Sequence, residues 1–348
     1  MKYPQFLPPT GTIGFVAPSF GCNIEPYRTA FENALSRWQA QGYGIDLGPN
    51  CYAGCGIGIS NTPEACGREL TEYYTSGRNH CLISCGGGEL MCEILEHVDF
   101  EAIRNAPPKW YMGYSDNTNM TFLLATLCDT ASVYGPCAAA FGMEPPHPSL
   151  GDAMALLEGK KSTINSYGKW EKESLKNEEN PLTPYHCTED LNLKIFLPGK
   201  DAMEEGSGAW MEGRLLGGCM DCLVNLLGTR FDRVGEFVEK YKEDGFIWFL
   251  EACDLNVFAI RRAMWQMEQA GWFRYVKGFF FGRPLCHGQE MMGLDQYSAV
   301  LPVISRHKVP VVMDGDLGHL PPMMPLVTGS MARIKAEGGK LEIAMDFR

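Results

Sequence analysis

The segment Lys109-Trp110-Tyr111-Met112-Gly113-Tyr114-Ser115-Asp116-Asn117-Thr118 sets one serine between a short apolar run and a helical pattern of Met120, Leu123, Leu124 and Leu127. A strand, a sharp turn and a helix in that order lift a hydroxyl off the end of a sheet. They also aim the first turn of the helix at it. The free N–H groups and dipole of that turn favour negative charge beside the serine. Acyl transfer needs that arrangement, because charge develops on an oxygen when a serine attacks a carbonyl. The pattern is close to the Gly-x-Ser-x-Gly nucleophile elbow, with Asn117 standing where the last glycine would be.

A serine nucleophile needs a base, and the base needs an orienting group. Among seven histidines, His319 stands out, in the Gly/Pro-rich loop Met313-Asp314-Gly315-Asp316-Leu317-Gly318-His319-Leu320-Pro321-Pro322 that follows a strand pattern. A loop histidine is by default solvated or capping. Glu251 directly follows Phe246-Ile247-Trp248-Phe249-Leu250. A carboxylate in that place is costly to bury unless paired; its plainer reading is a charge complementing a helix N-terminus. The chain order is then Ser, Glu, His. The turn Cys85-Gly86-Gly87-Gly88 is a candidate second half of an oxyanion hole, since glycines let the backbone approach a substrate. Its plainer reading is a tight strand–helix turn. With no phosphate-loop lysine beside it, nucleotide phosphate binding is a weak alternative. Cys219-x-x-Cys222 is a single CxxC without a second pair at matching spacing. It favours two thiols on an apolar helix face over zinc, without excluding a metal or redox role. No metal ion and no cofactor is expected.

Strands and helices alternate around these residues. Thr12–Ala17, Tyr43–Leu47, His80–Ser84 and the serine strand read as strands, with one more possible at 132–134. Helical patterns run over 25–41, 62–77 and through Leu90, Ile94 and Leu95. This alternation predicts an α/β fold with a doubly wound, mostly parallel sheet, flavodoxin-like, over residues 1–157. Ligands of such sheets sit beyond the carboxyl ends of the strands, where the glycine run and Ser115 fall. Residues 158–207 are polar and charged and read as an excursion between domains, either a lid or a mobile loop, with short strands near Leu191–Phe196 and with Trp170 packing back on its own loop rather than covering a substrate. Residues 208–348 form a second, smaller α/β domain. It contains the apolar runs Phe246–Leu250 and Val276–Phe281, a strand at Val309–Met313 demoted towards an edge by Pro310, and a terminal hairpin turning at Gly338-Gly339.

The 348 residues exceed the usual size of one hydrophobic core, so two domains are the default. The formal net charge of −12 argues against nucleic-acid binding through a broad basic surface. An anionic substrate would need a local cation that the sequence does not identify. No apolar stretch has the length of a membrane span, and 1–9 lack a signal-peptide core, so a cytoplasmic protein with reduced thiols is expected.

Together the pieces resemble the LD-carboxypeptidase family of serine peptidases, which includes the microcin C self-immunity proteins. The resemblance is carried by Gly11–Ser19, Gly86-Gly87, Gly113-Tyr114-Ser115-Asp116-Asn117-Thr118, Gly213–Gly218, Phe249-Leu250-Glu251 and Gly318-His319, in that order over nearly the whole chain. It implies Ser115 as nucleophile, His319 as base, Glu251 as orienter, and an oxyanion hole from the backbone N–H groups of Asp116 and Gly87. It also implies a homodimer acting on a small peptide or peptide-like substrate. The family's typical reaction cuts the L,D bond to a terminal D-alanine in murein tetrapeptides, and the self-immunity branch cleaves an aminoacyl–nucleotide amide. Glu89 and Cys219 depart from the family pattern, the first by adding negative charge near the oxyanion hole, the second by standing where asparagine is common. An α/β-hydrolase esterase shares the residue order. A two-domain ligand-binding protein without catalysis is the reading of another class.

Overall fold

The computed structural model describes residues 1–200 and 202–347. The N-terminal half lays down β1 (Thr12–Val16), α1 (Tyr27–Ala40), β2 (Gly44–Leu47), α2 (Pro63–Thr75), β3 (Cys81–Ser84), α3 (Met91–Ile94), α4 (Phe100–Asn105), β4 (Trp110–Gly113), α5 (Thr118–Cys128), β5 (Ser132–Tyr134) and α6 (Pro148–Leu157). The strands β1 to β5 pair in parallel in the order β5-β4-β3-β1-β2. β1, β3, β4 and β5 are buried on both faces apart from Thr12, which is why they read as unbroken apolar runs. The helix expected after the glycine run is shorter than its pattern. It covers only Met91–Ile94 and tightens into a 3₁₀ turn through His97, and a separate α4, capped by the Asp99 carboxylate, follows.

The remaining strands are β6 (Thr163–Asn165), β7 (Lys169–Trp170), β8 (Glu189–Asp190), β9 (Lys194–Pro198), β10 (Met203–Glu205), β11 (Gly208–Cys219), β12 (Phe246–Glu251), β13 (Val276–Gly282), β14 (Val311–Gly315), β15 (Leu326–Thr328), β16 (Met331–Glu337) and β17 (Lys340–Asp346). The helices between them are α7 (Met220–Leu226), α8 (Val234–Lys240), α9 (Val257–Gln269) and α10 (Gln296–Ile304). Nine strands form one mixed sheet, β10-β9-β14-β13-β12-β11-β16-β17-β6. β14 is not at its edge. Pro310 precedes the first ladder residue and costs no strand bond, and β9 pairs with β14 on the far side. The polar stretch 158–207 thus supplies β6, β9 and β10 to the second sheet, while β15 crosses back to pair with β5 in the first.

The two sheets are joined through α5. Its residues Thr118 to Ala125 are all buried, so the helix has no solvent face over its first two turns. Phe122 stacks on Trp272 at 5.4 Å between ring centres, and Trp272 on Trp248 at 5.8 Å. At the other end, Thr118 Oγ1 accepts from the Cys219 N–H at 3.0 Å. Gly218 (φ 145°) permits that approach: a Cβ there would lie 2.6 Å from Thr118 Cγ2. The helix that follows the serine is thereby fixed against the strand beside β12.

Trp170 is buried. Its ring lies 4.9 Å from the Arg283 guanidinium, and its Nε1 donates to the Asp190 carbonyl at 3.2 Å. Arg283 clamps the loop after β14, donating to the Asp314 carbonyl at 2.9 Å, to Asp316 Oδ1 at 2.7 Å and to the Leu320 carbonyl at 3.3 Å. Asp316 Oδ2 accepts from the Tyr167 N–H at 2.8 Å, and the Pro321 carbonyl from the Glu171 N–H at 2.7 Å. The polar excursion is the outer wall of this loop. Arg283 and Asp316 are essentially inaccessible, with side chains 1% and 0% exposed. Arg283→Met would strand the Asp316 carboxylate without its cation, an expected loss of about 3–5 kcal/mol in urea denaturation. A loss under 1 kcal/mol would show that the clamp does not hold the loop.

Candidate active site

β4, β12 and β14 end at the same place in space. The chain leaves β4 at Gly113, passes Tyr114, and puts Ser115 in the left-handed region at φ 62°. A non-glycine residue held there is strained and pushed proud of the backbone, as at a nucleophile elbow. Glu251 is the last residue of β12 and is buried. His319 comes from the loop that Arg283 clamps.

The three side chains converge. His319 Nε2 lies 2.8 Å from Ser115 Oγ, and His319 Nδ1 lies 2.8 Å from Glu251 Oε2. Gly318 (φ 96°) makes the second contact possible, since a Cβ there would sit 2.5 Å from that carboxylate oxygen. Burial alone would push the Glu251 carboxyl up. The His319 charge and hydrogen bonds from His319, Tyr134 and Cys219 outweigh it and hold the carboxyl below its usual range. Burial would push the His319 imidazole down, but the Glu251 charge, with contributions from Cys253, raises it well above the ordinary histidine value.

Tyr134, the last residue of β5, is a member of this group that sequence reasoning missed. Its hydroxyl donates to Glu251 Oε1 at 2.6 Å and accepts from the Ser115 N–H at 3.3 Å. The only signal was its place at the end of a predicted strand. Asp116 holds the floor. Its buried carboxylate accepts from the Ser19 hydroxyl, from the Met91 N–H at 2.8 Å and from Asn119 Nδ2 at 3.1 Å. It ties three segments together beneath the serine, and burial raises its carboxyl despite these donors. Gly87 lies against Ser115, where a Cβ would come within 3.2 Å of both its Cβ and Oγ.

Two adjoining hollows meet at Ser115. One, of about 420 Å³, is lined by Phe20, Tyr27, Tyr114 and His319; the other, of about 310 Å³, by Asp116, Asn119, Asp221 and Asp254. Glu89 lines both, as does Cys253, and among the described residues neither hollow contains a lysine or arginine. Burial raises the Glu89 carboxyl, helped by the charges of Asp254, Asp116 and Asp221. One trio among the described residues has donors placed for a metal ion: Cys219, Glu251 and His319, within 4.8 Å of one another. Two of the three are already bound to each other, and burial raises the Cys219 thiol well above its ordinary value, so the thiolate that a metal would take is disfavoured. Cys222 also lies at this junction, its Sγ 3.5 Å from the Ser115 carbonyl oxygen.

A hydroxyl bonded to an imidazole that is itself bonded to a carboxylate is the arrangement that makes an alcohol nucleophilic. Residues 13–135 match the family model described as the LD-carboxypeptidase N-terminal domain, and residues 212–334 the one described as the LD-carboxypeptidase C-terminal domain. A Vibrio cholerae protein, provisionally named a carboxypeptidase, is 24% identical over 334 residues, covering 93% of this chain and 92% of its own. A Streptomyces coelicolor protein with the same provisional name is 24% identical over 266 residues, covering 74% and 69%. The microcin C7 self-immunity protein MccF has the same fold, with a TM-score of 0.81 at 22% identity over 100% of this chain and 99% of its own. An MccF-like protein of Bacillus anthracis scores 0.82 at 19% identity over 99% of each. The matched halves together span most of the sequence, and the chain belongs to the LD-carboxypeptidase family of serine peptidases.

Proposed function

We propose that Ser115, His319 and Glu251 act as a triad that hydrolyses an amide through an acyl-enzyme, with the backbone N–H groups of Asp116 and Gly87 as the oxyanion hole. The observation that carries this reading is the unbroken relay from Ser115 Oγ to His319 Nε2, and from His319 Nδ1 to Glu251 Oε2, at 2.8 Å for each link. His319 takes the hydroxyl proton as Ser115 attacks the carbonyl. Glu251 keeps the remaining ring proton on Nδ1 and stabilises the imidazolium. The tetrahedral oxyanion forms beside the N–H groups of Asp116 and Gly87. His319 then protonates the departing amine, and water reverses the steps.

For the substrate we propose the L,D bond to the terminal D-alanine of a murein tetrapeptide. The whole-chain likeness to proteins named as carboxypeptidases supports this. A second reading, an aminoacyl–nucleotide-like conjugate, is favoured by one observation. The hollow on the His319 side, where a leaving group protonated by His319 would sit, offers Phe20, Tyr27 and Tyr114 and, among the described residues, no lysine or arginine in its lining for a terminal carboxylate. MccF itself has been solved with glutamyl sulfamoyl guanosine and with aspartyl sulfamoyl adenosine. The protein would act in the cytoplasm as a homodimer.

Incubation with a D-alanine-terminated tetrapeptide and with an aspartyl sulfamoyl nucleoside separates the readings. Release of D-alanine is the expected result. Turnover of the nucleoside alone would move the substrate assignment to the conjugate. Turnover of neither, with Ser115 unreactive towards a fluorophosphonate, would mean a binding protein without catalysis.

A further inference from the structure

The geometry points to Asn117 as the positioning residue of the oxyanion hole, acting through the peptide between Gly86 and Gly87. This rests on the triad reading above.

Asn117 occupies the place where a nucleophile elbow ordinarily carries its last glycine, and its side chain is fully buried. Its amide is fixed in one orientation by partners on both sides. Oδ1 accepts from the Tyr111 hydroxyl, while Nδ2 donates to the Gly86 carbonyl at 2.8 Å and to the Tyr114 carbonyl at 3.1 Å. The peptide joining Gly86 to Gly87 is trans. In a trans peptide the N–H points opposite to the C=O. Pulling the Gly86 carbonyl onto Asn117 therefore turns the Gly87 N–H the other way, out of the floor of the site. The next peptide is held too, since the Gly87 carbonyl accepts from the Phe20 N–H at 2.8 Å. Gly87 is thus clamped on both sides while its Cα lies against Ser115.

The clamp has a catalytic purpose. An oxyanion donor is effective when its direction is set before charge develops, because no reorganisation is then needed during reaction. Two successive glycines left to themselves have the widest choice of backbone angles of any residues. Asn117 removes that freedom from two residues beyond the nucleophile, so the same short segment supplies the attacking oxygen and the orientation of the opposing N–H. Ser84 Oγ also donates to the Gly86 carbonyl, at 3.0 Å, and is a lesser clamp from the strand side.

The test compares Asn117→Asp and Asn117→Ala with the unsubstituted protein. Asn117→Asp keeps the volume and the acceptor for Tyr111 but removes the donor to Gly86; Asn117→Ala removes both. Three quantities are read: kcat and KM on the substrate turned over, the rate of Ser115 phosphonylation by a fluorophosphonate, and the affinity for a peptide boronic acid that imitates the tetrahedral adduct. The expected result is a fall of about 10²-fold in kcat, with parallel falls in phosphonylation rate and boronate affinity, and KM within about threefold. Both variants should show this; Asn117→Asp, which sets a buried carboxyl oxygen against the Gly86 and Tyr114 carbonyls, should also lower the melting temperature, so Asn117→Ala carries the comparison of kcat with boronate affinity. The assignment is overturned if both variants keep kcat and phosphonylation within about threefold of the parent. It is equally overturned if kcat falls while boronate affinity stays unchanged, since that is the signature of general loosening. If the parent is neither phosphonylated nor able to turn over a substrate, the triad reading itself has failed.

Discussion

Ser115→Ala should lower turnover by about 10⁴- to 10⁶-fold, and His319→Ala by nearly as much. The double variant should be no worse than the more damaged single one. The reason lies in the relay: without Oγ there is no nucleophile, and without Nε2 the hydroxyl stays protonated near neutral pH. Residues that act as a unit are not additive, so steady-state kinetics on the three variants checks the relay and not merely the importance of each residue. Independent losses that multiplied in the double variant would mean that Ser115 and His319 work separately. Stability should move the opposite way at one of these positions. Ser115 is held at φ 62°, a conformation that glycine adopts without cost. Ser115→Gly should therefore be inactive yet more stable than the parent by about 1 kcal/mol in urea denaturation. The protein keeps the strained serine because only that conformation lifts Oγ to the imidazole.

How much of this was legible in the sequence depends on what each residue does. Ser115, Glu251 and His319 each sit where an apolar strand gives way to a loop, and residues at such boundaries carry a one-dimensional signature: an apolar run, then a reactive group. The doubly wound half was legible for the same reason, since strands buried on both faces read as unbroken apolar runs. Tyr134 was not, because a tyrosine ending a strand looks like any core aromatic. Its bond to Glu251 exists only once two strands from different sheets are set side by side by α5. The Arg283–Asp316 pair was hidden likewise. Arginine and aspartate 33 positions apart carry no pattern, and burial of the pair follows from the wrap of residues 167–171 around the loop. Pro310 misled in a different way. A proline in a strand pattern predicts an edge, but here it stands one residue before the ladder begins, and strand boundaries are what periodicity locates least well. Asn117 stands out in the sequence as a departure from the elbow pattern, but what it holds exists only with the glycine turn folded over it.

Glu251→Gln is the sharper test of the carboxylate's role. In the parent, the Glu251 charge raises the His319 imidazole well above the ordinary histidine value, against the pull of burial. The base must be neutral to accept the serine proton. Activity should therefore climb with pH as His319 loses its proton, and the acid limb of kcat/KM should lie above about 6.5, the ordinary value. Removing the charge leaves burial in command, so the limb should move to lower pH in Glu251→Gln. The plateau should nevertheless fall by about 10⁴-fold. Tyr134 explains why: its hydroxyl already accepts from the Ser115 N–H, and its proton goes to the Glu251 oxygen facing it. A glutamine would turn its carbonyl to Tyr134 and its NH2 to His319 Nδ1. The imidazole would then carry its proton on Nε2, pointing at Ser115, the wrong tautomer for a base. Tyr134→Phe added to Glu251→Gln frees the amide to rotate and should recover part of the lost activity, although Tyr134→Phe alone should impair the parent. A pH–rate profile whose acid limb does not move in Glu251→Gln would remove Glu251 from the relay. A double variant no better than Glu251→Gln alone would leave Glu251 in place but take from Tyr134 its control over which way residue 251 faces.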